Sequence, residues 1–322
     1  MSRAAKSWMI EAAVLILAGI SIFAAVTSMN HGQMVWNTAS NMVTNTYTIR
    51  EDFDSISVRG DTEDIVFLLS KDGKCTVEFY ERENEKHTAA VKNGTLLVSG
   101  EEQKGKWTDH ISLFSGKDPK MTIMLPKNVY KALRVEESTG DIRLPADFSF
   151  DTVDITVSTG TVRCKASAAD RLKIGTSTGE IEVKGVSAGQ MDLSVSTGTV
   201  DVDSAYCKED MSLRVSTGRA ELKDVSCRSF TSTGSTGRIT MKNLTATETI
   251  SIERSTGDVT FEGCDAGEIY VKTDTGDVKG SLLSDKVFLT ETDTGKVSVP
   301  KTITGGRCEI STDTGDIEFT ID

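Results

Sequence analysis

From about residue 138 to the end of the chain, hydrophobic and polar positions alternate, and the alternation restarts every 19 or 20 residues. A Thr-Gly pair marks each restart, at Gly140, Gly160, Gly179, Gly198, Gly218, Gly237, Gly257, Gly276, Gly295 and Gly315. Two residues after each Gly stand Ile142, Val162, Ile181, Val200, Ala220, Ile239, Val259, Val278, Val297 and Ile317. Side chains two apart share one face of a strand, so this period predicts strands and not helices. A second alternating run enters each turn, as in Met191, Leu193 and Val195, or Met211, Leu213 and Val215. Each repeat therefore predicts one strand entering the Thr-Gly turn and one leaving it. A second corner is expected near positions such as Val186 and Ala188.

A fixed period near twenty residues is the mark of a solenoid, in which each unit buries its apolar face against its neighbours. The expected fold is all-β: a parallel single-chain β-solenoid, or β-helix, of 19–20 residues per coil. The crossover rule makes it right-handed. Gly suits the turn because it takes positive φ at little cost. Ser precedes the Thr in seven copies, from Ser138 to Ser255. The Ser-Thr-Gly motif reads as a structural corner whose stacked hydroxyls bond along the column, and not as a row of nucleophiles.

Residues 46–137 lack the motif but keep strand signals at 56–58, 65–69, 76–80, 96–99 and 122–125. They predict irregular first coils and an N-terminal cap; residues 138–322 predict the regular repeats. At the far end the last strand is expected to form the exposed edge. Asp316, Glu318 and Asp322 alternate there with Ile317, Phe319 and Ile321, and edge charges discourage unwanted pairing.

Ahead of the β region, Arg3 and Lys6 precede an apolar run. Residues 9–29 are long enough to cross a bilayer, which takes about 20 residues. Basic residues before the run place 1–8 in the cytoplasm and the repeats outside. The expectation is a single-pass cell-membrane anchor, a linker at 30–45, and an extracytoplasmic repeat region. A cleaved signal peptide is the competing reading, with Val26-Thr27-Ser28 as its cleavage site.

The net charge is −12, and nucleic-acid binding ordinarily requires a basic footprint, so that class is excluded. His31, His87 and His110 stand far apart, and no catalytic or cofactor-binding motif is present. In the last three copies Ser gives way to Asp274, Asp293 and Asp313, with Asp277 and Asp316 beside the same corner. An oxygen array of this kind suits Ca²⁺. The competing reading is a solvated acidic edge neutralised by Lys272, Lys279 and Lys296.

Of the six cysteines, Cys164, Cys264 and Cys308 fall in apolar columns of the repeat. Cys207 and Cys227 share a small-residue corner with Ala188, Ala246 and Ala266, and are the one candidate bridge; free, packed thiols are the favoured state. Arg59-Gly60-Asp61 is a three-residue match to a receptor-read triplet that a turn between strands explains as well, and Asn93-Gly94-Thr95 and Asn243-Leu244-Thr245 match the glycosylation pattern.

The runs Ser138 to Ile142 and Ser255 to Val259, with the opening Phe53-Asp54-Ser55-Ile56, resemble the bacterial β-strand-repeat putative adhesin family, an uncharacterised-domain family with Ser-Thr-Gly-Asp repeats. The resemblance covers about residues 46–322 and implies a β-solenoid on the outer face of a bacterial cell envelope, with no catalytic residues to carry over. The function expected is a non-enzymatic, membrane-anchored adhesin, scaffold or envelope-binding domain whose partner is a cell-envelope glycan or protein. One alternative is a polysaccharide-cleaving β-helix enzyme. Even spacings leave no cleft within the repeats, although the cap carries Trp107, Asp109 and His110. The other is an envelope-stress regulator acting on a membrane partner.

Overall fold

The computed structural model describes residues 42–83, 85–100 and 119–322. The expected anchor at 9–29, the segment 1–8, most of the linker, and Trp107, Asp109 and His110 lie outside the described residues. Among the described residues no helix is long and apolar enough to cross a membrane.

The cap comes first: β1 (Met42–Ile49), β2 (Ser55–Arg59), β3 (Asp64–Leu69), β4 (Cys75–Arg82), β5 (His87–Lys92), β6 (Thr95–Gly100) and β7 (Lys120–Leu125). The coils follow as β8 (Val129–Thr139), β9 (Ile142–Leu144), β10 (Ser149–Cys164), β11 (Ser167–Lys184), β12 (Ser187–Cys207), β13 (Asp210–Thr236), β14 (Ile239–Thr256) and β15 (Val259–Thr275). The last are β16 (Val278–Leu282), β17 (Lys286–Thr294), β18 (Val297–Ser298), β19 (Gly306–Thr314) and β20 (Ile317–Ile321). The expected strands in 46–137 appear, joined by β1, β5 and β8, and β1 starts at Met42, four residues before the expected boundary at 46.

Successive coils stack in parallel and in register. Gly160 lies beside Gly179, Gly179 beside Gly198, and Gly198 beside Gly218. The inward columns are apolar throughout, for example Ile155, Ile174, Leu193 and Leu213, all at most 2% exposed. Each coil thus completes its core only against its neighbours.

At both ends the coil order departs from chain order. The β2–β3 coil, first in sequence, lies between β6–β7 and β8–β9. At the other end β19–β20 inserts between β15–β16 and β17–β18. The last strand in sequence is therefore an interior strand, which corrects the expectation that it forms the edge. The physical reason lies in the inward positions. β19–β20 brings Cys308, Ile310 and Phe319, all at most 5% exposed, whereas β17 sets Thr290 beside Ile310. The more apolar coil is buried and the more polar one takes the open end, where Leu289 and Val297 are 47% and 45% exposed. At the N-terminal end β1, β4, β5 and β6 change to antiparallel pairing and close the stack.

Candidate functional site

The Thr-Gly corner shows two reasons for Gly. Nine of the ten glycines hold positive φ, from 132° to 157°. A Cβ built on Gly198 would also lie 1.8 Å from the Gly179 carbonyl oxygen, and the same overlap recurs along the column. The column runs Gly257, Gly276, Gly315, Gly295, following the spliced coil order.

The expected hydroxyl ladder is absent: among the described residues no hydrogen bond links the stacked Ser side chains. The corner hydroxyl bonds come instead from inward threonines. Thr312 Oγ1 donates to the Gly276 carbonyl at 3.2 Å, and Thr292 Oγ1 to the Gly315 carbonyl at 3.0 Å. The second corner carries its own left-handed column, Gly185, Ser204, Asp224, Asn243 and Gly263, with φ from 52° to 65°. These are residue types that tolerate this region best.

The acidic residues separate into two sets. Asp277 Oδ1 accepts the Asp316 amide at 3.0 Å, and Asp316 Oδ1 accepts the Lys296 amide at 2.8 Å. The Asp277 amide in turn donates to Asp258 Oδ1 at 3.0 Å. The hydrogen bond from the Asp316 amide holds the Asp277 carboxyl below its ordinary range. Each carboxylate thus stitches one coil to the next. Asp274, Asp293 and Asp313 are exposed and belong to the other set. Among the described residues no group of three or more His, Cys, Asp or Glu side chains has the geometry to hold a metal ion.

A buried polar cluster joins the cap to the coils, and sequence reasoning missed it. Glu63 (turn before β3), Glu81 (β4), His87 (β5) and Glu137 (β8) are all at most 6% exposed. His87 Nδ1 lies 2.6 Å from Glu81 Oε2, and Nε2 lies 3.3 Å from Glu63 Oε1. Burial alone would lower the His87 pKa, but the two carboxylates outweigh it and raise it to about 9. Glu137 Oε1 accepts the Ser138 and Thr139 amides, while Oε2 has no partner among the described residues. Burial, reinforced by the charge of Glu63, pushes Glu137 up to about 8.

The Arg59-Gly60-Asp61 triplet belongs to this cluster. A Cβ on Gly60 would lie 1.9 Å from Glu137 Oε2, the Asp61 amide donates to Glu63 Oε2 at 2.9 Å, and Arg59 pairs with Glu136 at 2.9 Å. The cluster is sealed from solvent, so it holds the cap in place and offers no access to a substrate. Asn93-Gly94 forms the tight turn between β5 and β6, with φ of 52° and 73°.

A second buried polar group, also unread in the sequence, is Arg254 in β14, 2% exposed. It points inward in the column of Val195 and Val215. Burial pulls its pKa down to about 10. All six cysteines are buried; Cys75 lies in the cap, in β4. The candidate pair is free, Cys207 donating to the Gly189 and Asp210 carbonyls at 3.3 and 3.2 Å. Burial raises the Cys164, Cys227 and Cys308 thiols to about 12, which leaves them unreactive.

Comparisons with known proteins agree on the architecture. A structure named a putative adhesin from Parabacteroides merdae is 14% identical over 75% of this chain and 97% of that one, with a TM-score of 0.51. Another putative adhesin, from Parabacteroides distasonis, is 13% identical over 87% and 98%, with a TM-score of 0.51. A structure named a putative lipid binding protein, also from Parabacteroides distasonis, reaches 17% identity over 87% and 97%, at a TM-score of 0.47. At these identities the two likenesses at a TM-score of 0.51 speak for the fold alone. No curated protein matches the chain. The model of the Toastrack DUF4097 family matches residues 53–218 and 199–322, so this protein belongs to the Toastrack DUF4097 family.

Proposed function

We propose that the protein is a non-enzymatic, membrane-anchored solenoid that meets a cell-envelope glycan or protein across its outer wall. The observation that carries this reading is the evenness of the repeats. All nine Gly-to-Gly spacings are 19 or 20 residues, so no insertion interrupts the wall to build a catalytic cleft. Such a wall presents columns of polar side chains about 4.8 Å apart, suited to contact over area. The buried carboxylates and histidine tie coils together and are closed to substrate. The apolar run at 9–29, with basic residues before it, supports an anchor with the solenoid outside.

Protease treatment of intact cells tests this arrangement. The reading expects the solenoid to be lost from the outer face of the cytoplasmic membrane once any outer barrier is opened, with a short anchored remnant left in the membrane fraction. Full protection until the cytoplasmic membrane is lysed would contradict it.

A further inference from the structure

Two basic side chains, Lys286 and Arg254, are buried to 2% exposure. Lys286 has a counter-charge, Asp265 Oδ1 at 2.6 Å. Arg254 has none among the described residues. One guanidinium nitrogen donates to the Val215 carbonyl at 3.3 Å and another to Ser232 Oγ at 2.9 Å, while Nε has no partner. A buried, unpaired cation is costly, and a chain of net charge −12 has carboxylates in excess to pair with it.

The room for Arg254 is made by the coil beside it. Ser232 stands one repeat after Leu213, in an aliphatic column, and Gly234 one repeat after Val215. A Cβ on Gly234 would lie 2.2 Å from the Arg254 guanidinium, so the guanidinium fills the volume of the missing side chain. At the same place the outer wall carries a concavity of about 320 Å³. Arg254, Arg214, Lys272, Ser235, Glu253 and Asp274 line it. That sets three cations against two carboxylates, and among the described residues Arg214 and Lys272 take part in no ion pair.

We propose that this concavity binds a phosphate group, with Arg254 as its buried counter-charge and Arg214 and Lys272 closing over it from the wall. Cations on the core side and along one outer column, where Arg214 and Lys272 stand three coils apart, suit a tetrahedral oxyanion better than a planar one. The phosphate is either free or part of a phosphodiester polymer. The inference stands apart from the proposed function, since a site for free phosphate needs no envelope partner.

The test uses the full-length protein in mild detergent, titrated at constant ionic strength with inorganic phosphate and separately with poly(glycerol phosphate), against chloride. Either phosphate source is expected to raise the melting temperature saturably, with chloride inert. A response to both identifies free phosphate as sufficient; a response to the polymer alone assigns the site to a phosphodiester. Arg254→Met is expected to melt no lower than wild type in chloride and to lose at least about tenfold in phosphate affinity. The double variant Arg214→Ala, Lys272→Ala leaves the core untouched and is expected to keep the chloride melting temperature while also losing about tenfold. Should Arg254→Met fail to fold, the double variant decides. No response of wild type to either source, or full response of the double variant, overturns the proposal.

Discussion

Glu137 occupies a position held by Val157, Val195 and Val215 in later coils, yet it carries a carboxyl group whose Oε2 has no partner. Its pKa stands near 8 in the folded chain against an ordinary 4.5. A raised pKa means that the folded state holds the proton more tightly. The stabilisation is therefore complete below about pH 4.5 and is lost as pH rises through 8. Each pH unit of that window is worth about 1.4 kcal/mol, so the loss from pH 5 to 8 is about 4 kcal/mol. His87, raised from 6.5 to about 9, acts in the same direction, its contribution falling away between those values.

Glu137→Gln isolates the first effect, because the amide mimics the neutral acid and does not titrate. Urea unfolding of wild type and variant across pH 5 to 9 is expected to show near-equal stability at pH 5. The variant should gain steadily to a plateau of about 4 kcal/mol above pH 8. Parallel pH profiles, or a variant less stable at pH 9 than wild type, would refute the reasoning.

Four further outcomes follow from the packing. Gly198→Ala puts a Cβ 1.8 Å from a neighbouring carbonyl, and denaturation should show a loss of at least about 2 kcal/mol. Gly185→Asn, where a Cβ meets nothing within 4 Å, should cost less than about 1 kcal/mol. Hydrogen exchange should find the amides of β19 and β20 slower than those of β17 by at least about tenfold, because among the described residues β17 has a partner strand on one side only; the reverse ranking would reject the spliced order. Melting in calcium and in chelator should coincide, since Asp277 and Asp316 are engaged by backbone amides.

The regular coils were readable because a solenoid writes one contact pattern many times. The Thr-Gly corner, the apolar columns and the places of Cys164, Cys264 and Cys308 all follow from register alone. The spliced ends were harder, since chain order says nothing about which coil lies outermost. A trace was present all the same: Thr290 stands where the other coils carry Val271 and Ile310, and a polar inward residue fits the open end best. The cluster of Glu63, Glu81, His87 and Glu137 is assembled from turns and strands up to 74 residues apart, across antiparallel pairings that leave no periodic signal. Glu137 and Arg254 were the visible clues, each a charge in a column of Val and Thr. A charge in an inward column marks a buried polar site, but its partners are fixed only by the fold.

Co-sedimentation tests the proposed contact with the cell envelope. Purified full-length protein in mild detergent is mixed with insoluble cell-wall material from its own organism, and the bound fraction is measured against added wall. Saturable binding that a soluble wall fragment competes away is expected. Protein that stays in the supernatant at every wall concentration, or sediments without saturation or competition, would contradict it.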